Sequence, residues 1–428
     1  MGQQKTRREA VSSKQCSANS MLLPLPTRRL APHSLFFLFF NLMYFLPLLG
    51  VVLFNYEAET NIAPDLDWGV TKKIAWIYLL GTLAFLCGSR LRTFLARVTA
   101  RKTEPRALQL FRLSRSFWVL CSATVAVFAL SKVLLLPLGV YSDYAFDTES
   151  MIGGVWSFSM FCSESLLLLS IVVLFSNAQR NVLWFLILTG INGINLLHGT
   201  RIFFMVAAIA FCLNLYVRGK LTFRLGILAF CSTLALGYFV FLSRSHVEVD
   251  DRTFSAARVI SPIMFEGIFS QLSLIGTIKH PEIWSFWGSP HHFFLDALYF
   301  VTPRFLLPGK DGMLFINRFS DLSPLGGFSG YAEGLIYFGV FFPVLYLIVG
   351  IVADWLLRHA RHSQFWSVIY VYFVSDILFH IMRGYIMEIK MLANGLVILA
   401  IVVFLQPRAN SARAYPALPA GAKGFTTA

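Results

Sequence analysis

Residues 195–207 read NLLHGTRIFFMVA, so His198 and Arg201 occupy the smallest gap between two apolar runs. Histidine exchanges a proton near neutral pH, and the arginine fork binds phosphate through paired hydrogen bonds. Asp376, His380 and Arg383 fall at i, i+4 and i+7 and would share one helix face. That face is either a buried packing pair, Asp–Arg or Asp–His, or the polar wall of a substrate cavity. Glu333 follows GGFSGYA at the start of another apolar run. A carboxylate there caps a helix N-terminus, or its glycine-rich approach cradles an anion or sugar. Arg244, Arg304 and Lys310 add cations to a long loop between apolar runs. The chemistry on offer is anion binding with a proton acceptor close by.

The elements that must position these residues are membrane spans. The chain has 428 residues, 57% of them hydrophobic and only 14% charged, where a soluble chain carries about a quarter charged residues. Apolar stretches of spanning length recur from residue 34 to residue 406. The fold expected is all-α and polytopic, with about ten spans near 34–54, 74–89, 117–136, 155–176, 182–197, 202–217, 222–243, 332–356, 365–382 and 391–406. Residues 1–33 form a basic tail, 34–406 one membrane domain, and 407–428 an Ala/Pro/Gly-rich tail of disordered composition. No cleavable signal peptide is evident, which leaves Met21 as an alternative start.

Charge assigns the sides. Of the 36 Lys and Arg, 23 fall in one alternating set of segments and 13 in the other. Of the 22 acids, only Glu9, Glu104 and Asp354 belong to the first set. Positive-inside bias therefore puts both termini in the cytoplasm. The net charge of +14 reflects basic cytoplasmic turns, and no interleaved basic and aromatic patch suits nucleic acid. The 198–201 turn and the large loop 244–331 then face outward. Within that loop the apolar segments 259–278 and 284–301 are interrupted by Pro, His and Glu, as in interfacial or re-entrant helices.

Outward cations near the bilayer are Lys132, Arg201, Arg244, Arg304, Lys310, Arg318 and Arg383. Any single one is explained by snorkelling or a salt bridge. As a group, on the side depleted of cations, they point to a shared anionic ligand. A diphosphate at an outer membrane surface is a lipid-linked one. Glu164, flanked by serines mid-span, suits a helix-packing hydrogen bond. Glu57, Glu59, Asp65 and Asp67 in the first outer loop follow from the charge bias, with a general base or a metal site as the alternative. His291–His292 has no further ligand at metal spacing, and the six cysteines show no CxxC pair. Neither a metal nor a cofactor is expected.

FVTPRFLLPGKDG (300–312) resembles the P-R-x-L-x-P-x-K stretch late in the outer loop of Wzy-type polymerases, which join O-antigen or exopolysaccharide repeat units. GGFSGYAEGLIYFGVFFPVLYLIVGIVADWLLRHA (326–360) is similar to that family's glycine-rich loop, acidic residue and following span. GTRIFFMVA (199–207) resembles its G-x-R hairpin, and IMRGY (381–385) its late Arg-Gly turn. The likeness covers roughly 200–400. It implies inverting glycosyl transfer between two polyprenyl-diphosphate-linked glycans, undecaprenyl-type lipids, at the outer face of the bacterial inner membrane. Donor and acceptor are both lipid-linked, and a chain-length regulator is the implied protein partner. On this reading Arg201, Arg304 and Arg383 hold the diphosphate, with Arg244 behind them and Lys310, His380 and Asp376 lining the substrate. Glu333, then His198, is the implied base. An O-antigen ligase-like transferase would share these features. A lipid-linked saccharide flippase would instead show repeats and broken helices in two matching halves.

Overall fold

The computed structural model describes residues 31–53, 66–98, 113–134, 136, 151–176, 180–196, 198, 202–217, 271–302, 306–307, 309–322, 328–360, 363–378 and 385–405. Of these, 89% are helical and none lies in a strand. A bilayer interior offers backbone groups no water, so each spanning segment must satisfy its own hydrogen bonds. The helices are α1 (Pro32–Leu53), α2 (Trp68–Val98), α3 (Arg115–Ala129), α4 (Met151–Leu174), α5 (Asn181–Asn192) and α6 (Ile202–Val217). After them come α7 (271–279), α8 (Pro290–Val301), α9 (Gly330–Phe338), α10 (Phe342–Ala360), α11 (Gln364–Tyr372) and α12 (Tyr385–Phe404).

Five runs among the described residues are long and apolar enough to cross a membrane: Pro32–Leu53, Trp68–Leu91, Arg115–Leu134, Gly154–Leu174 and Gly330–Ala360. Asn181–Leu196, Ile202–Tyr216 and Leu392–Phe404 are apolar but shorter. The protein is thus an all-helical one with several apolar helices suited to a membrane. Of the ten spans expected, 222–243 and the end of 365–382 lie outside the described residues.

Contacts fix relative helix directions. Ser34 Oγ meets Ser89 Oγ at 3.2 Å, while Phe45 packs on Tyr78 further along, so α1 and α2 run antiparallel. The Oγ of Ser114 accepts from Phe117 N at 3.1 Å as the α3 N-cap and donates to Leu405 O at 2.8 Å. The start of α3 and the end of α12 therefore share one end of the bundle.

The expected span 332–356 is not one straight helix. Gly339 has φ 55 and ψ −134 between α9 and α10. Tyr331 and Tyr346 stack with ring centroids 4.7 Å apart, although fifteen residues of straight helix would separate them by over ~20 Å. α9 therefore folds back along α10. The 19 residues of α10 amount to about 28 Å, enough to span alone. Gly288 (φ 68) holds the 285–289 segment against this break, where Ser289 N donates to Tyr337 O at 2.7 Å and Val340 N to Phe286 O at 3.1 Å. Exposed Phe286, Trp287 and Phe341 cluster there, the composition of an interfacial aromatic belt. Of the two loop segments expected to be helical, 271–279 and Pro290–Val301 are helices. Residues 259–270 lie outside the described set.

Candidate functional site

The central element is α4, whose apolar run Gly154–Leu174 is the most deeply buried of the five. Trp156, Ser159 and Ser163 stand at i, i+3 and i+7 on one of its faces, and all three are buried. That face meets the end of α5. Asn192 Nδ2 donates to Ser163 O at 3.0 Å, and Asn195 Nδ2 donates to Ser163 Oγ at 3.0 Å. These amides hold the chain as α5 tightens into the 3₁₀ turn Gly193–Leu196. His198 N then donates to Asn195 O at 3.1 Å, which tucks the imidazole inward.

His198 is 1% exposed, and its ring stands edge-on to Trp156 at 6.3 Å. On the same indole, Lys132 Nζ sits 3.7 Å from the ring centroid. Lys132 itself is fully buried, 0% exposed. It projects from a π-helical continuation of α3, Leu130–Leu134, of which Ser131 and Lys132 are the buried residues. Such π turns recur at functional sites. Among the described residues, neither Lys132 Nζ nor either ring nitrogen of His198 finds a hydrogen-bond partner; the imidazole lies beside the Lys132 main chain without a well-formed bond to it. Burial, and then the Lys132 ammonium, push the pKa of His198 below its ordinary value, against an opposing pull from the Lys132 main chain. The imidazole is thus neutral at neutral pH and can donate from one nitrogen while accepting at the other.

A second polar group lies deeper. Glu164 Oε1 accepts from the Tyr372 hydroxyl at 3.0 Å, and Oε2 accepts from Asn394 Nδ2 at 3.1 Å. Gly395 seats the tyrosine, since a Cβ there would fall 2.7 Å from its ring. Glu164 therefore ties α4 to α11 and α12. Asp376 is 2% exposed and interacts with the same Tyr372 hydroxyl. It lies in a second π-helical stretch, Phe373–Ile377, so the α spacing assumed for Asp376, His380 and Arg383 does not run through it unbroken.

The remaining candidates separate. Glu333 is 5% exposed in the first turn of α9, with its N–H donating to Ser329 O at 3.0 Å. The Ser329 Oγ caps Tyr331 N at 3.2 Å, and Tyr337, one turn on, senses the Glu333 charge. Lys310 Nζ donates to Phe300 O at 3.1 Å and to Thr302 O. It binds the carbonyl end of α8, the end that a cation favours. Arg201, Arg244, Arg304, His380 and Arg383 lie outside the described residues. Among the described residues no three His, Cys, Asp or Glu side chains group as metal ligands.

His198 thus lies beside Lys132 and Trp156 where α3, α4 and the turn after α5 meet; Lys132 was expected only as one of the outward cations, and Trp156 was not among the candidates. A signal existed: Phe117, Cys121, Phe128 and Lys132 follow spacings of four, seven and four, which set Lys132 on the buried face of α3. The chain matches no family model, no curated protein and no solved structure.

Proposed function

We propose that this protein is a glycan polymerase that joins polyprenyl-diphosphate-linked repeat units by inverting glycosyl transfer at the outer face of a bacterial inner membrane. One observation carries the reading: His198 is buried against Trp156 and Lys132. Arg201 follows His198 by three residues in the sequence, on the side that charge bias leaves poor in cations. A permanent cation in that segment is proposed to have a purpose other than topology. A lipid diphosphate leaving group needs such cations to stabilise its developing charge, and Arg201, Arg304 and Arg383 are proposed to supply them. The attacking sugar hydroxyl needs a base, for which His198, neutral at neutral pH, meets the protonation requirement. Glu333 is the other proposed base.

The break at Gly339 is a feature that a flippase would share, since transporters place broken helices around their cargo. It favours a second reading, transport of the same lipid-linked saccharide. Deleting the gene and running surface polysaccharide on a gel separates the alternatives. Polymerase loss leaves lipid A core carrying one repeat unit, ligase loss leaves bare core, and flippase loss leaves no repeat unit outside. Persistence of long chains would reject the polymerase.

A further inference from the structure

Lys132 presents a physical problem that the membrane does not solve. Its ammonium carries three donors, is buried, lies over the Trp156 face, and has no hydrogen-bond partner among the described residues. The attraction of a cation to an indole face is smaller than the cost of a buried, unpaired charge. Helices α3, α4 and the turn after α5 each contribute one side chain to this point, so the arrangement is not an accident of one helix. His198 adds two ring nitrogens, also buried and without hydrogen-bond partners among the described residues. Other polar side chains of that seam are engaged: Ser159, Ser163, Asn192 and Asn195 bond one another or the local main chain. Among the described residues of that seam, one ammonium on the continuation of α3 and one imidazole in the turn after α5 are left facing the same aromatic ring.

We propose that Lys132 and His198 form a phosphate-binding subsite, backed by Trp156, that takes the diphosphate of the lipid-linked glycan; the identity of the ligand rests on the polymerase reading above. A phosphate oxygen supplies acceptors for the ammonium, and the neutral imidazole adds a donor on the other side. A phospholipid headgroup carries the same chemistry, so the test separates the two sources.

The full-length protein in nanodiscs of phosphatidylcholine is titrated calorimetrically with geranyl diphosphate. Wild type binds it, and Lys132→Met weakens binding by roughly tenfold or more, the worth of a charge-assisted contact. Trp156→Phe, which keeps an aromatic wall, changes affinity less than Lys132→Met does. Because Lys132→Met also removes an unpaired buried charge, its thermal midpoint stays level or rises. A purely structural cation over Trp156 would give the reverse, a lower midpoint with unchanged binding, and that result overturns the proposal. If Lys132→Met does not insert, His198→Phe carries the test, with the same loss of affinity expected. No binding of geranyl diphosphate by wild type overturns it, as does binding that is abolished when phosphatidylglycerol is added to the disc, which would assign the subsite to a phospholipid headgroup. The deletion experiment is independent: long surface chains without the gene reject the polymerase, while Lys132-dependent diphosphate binding still upholds the subsite.

Discussion

Gly88 and Gly350 sit at the crossing of α2 and α10, where a Cβ on Gly88 would strike Leu347 O and a Cβ on Gly350 would strike Phe85 O. Small residues at such a crossing let backbones approach and gain dispersion contact, the main attraction available between helices in lipid. Gly350→Leu should therefore push α2 away and cost at least about 1–3 kcal/mol. A lowered thermal midpoint in detergent, with an unchanged Gly154→Ala control, is the expected outcome. Gly154 has no atom within 4 Å of its built Cβ.

Tyr372→Phe should destabilise more than Glu164→Gln. The phenylalanine removes the Tyr372 donor from Glu164, a loss of roughly 1–3 kcal/mol for a buried polar group. Glutamine still accepts from Tyr372, and Asn394 can turn its amide to accept from the new NH₂. Equal thermal midpoints for the two variants would show that the bond from Tyr372 contributes nothing.

Asp296 ties α8 to the 315–316 main chain and to α9. Its carboxylate accepts from Phe315 N at 2.8 Å, Ile316 N at 3.0 Å and the Tyr337 hydroxyl at 2.6 Å. Asp296→Ala orphans three donors and should free the 3₁₀ segment Phe315–Leu322 from α8. Faster cleavage within 306–322 by externally added protease is predicted, with the transmembrane fragments intact.

His198 makes stability depend on pH. Its folded pKa is lowered by burial and by Lys132, so between the folded and unfolded values the unfolded chain binds the extra proton. This contribution is fully present above the ordinary value of about 6.5 and is lost as pH falls through it toward the depressed folded value. His198→Gln should flatten the midpoint-versus-pH curve below that point. An identical slope in the variant would place the titration elsewhere.

Arg201→Lys keeps the charge and loses the fork. Polymer length in cells should fall for Arg201→Lys and further for Arg201→Ala, at equal protein levels in the membrane. EDTA-washed membranes should keep their activity, since the proposed mechanism assigns the diphosphate to cationic side chains. Full loss restored by a divalent ion would instead implicate Glu57, Glu59, Asp65 and Asp67.

Much of this fold is written in simple periodicities. The apolar run of α6 is Ile202–Val217, the same bounds that hydropathy alone predicts, because nothing interrupts its helix. The break at Gly339 was not legible, since glycine is common inside membrane helices and only its positive φ and the 285–289 segment docked on it reveal the turn. Asp376 was legible as an intramembrane carboxylate but not its setting, because a π turn shifts every face that α spacing predicts. Lys132 lay in plain view at a helix end, where snorkelling is the usual fate of a lysine. Only the third dimension shows it turned inward to the Trp156 ring, with His198 arriving from another helix.

The proposed activity is glycosyl transfer between lipid-linked glycans. Its most direct test is reconstitution of the purified protein in liposomes with the polyprenyl-diphosphate-linked repeat unit accumulated by cells lacking the gene. The prediction is glycan chains that lengthen on the lipid, with one free polyprenyl diphosphate released for each unit joined. Repeat units that stay single, or that only change leaflet, would contradict it.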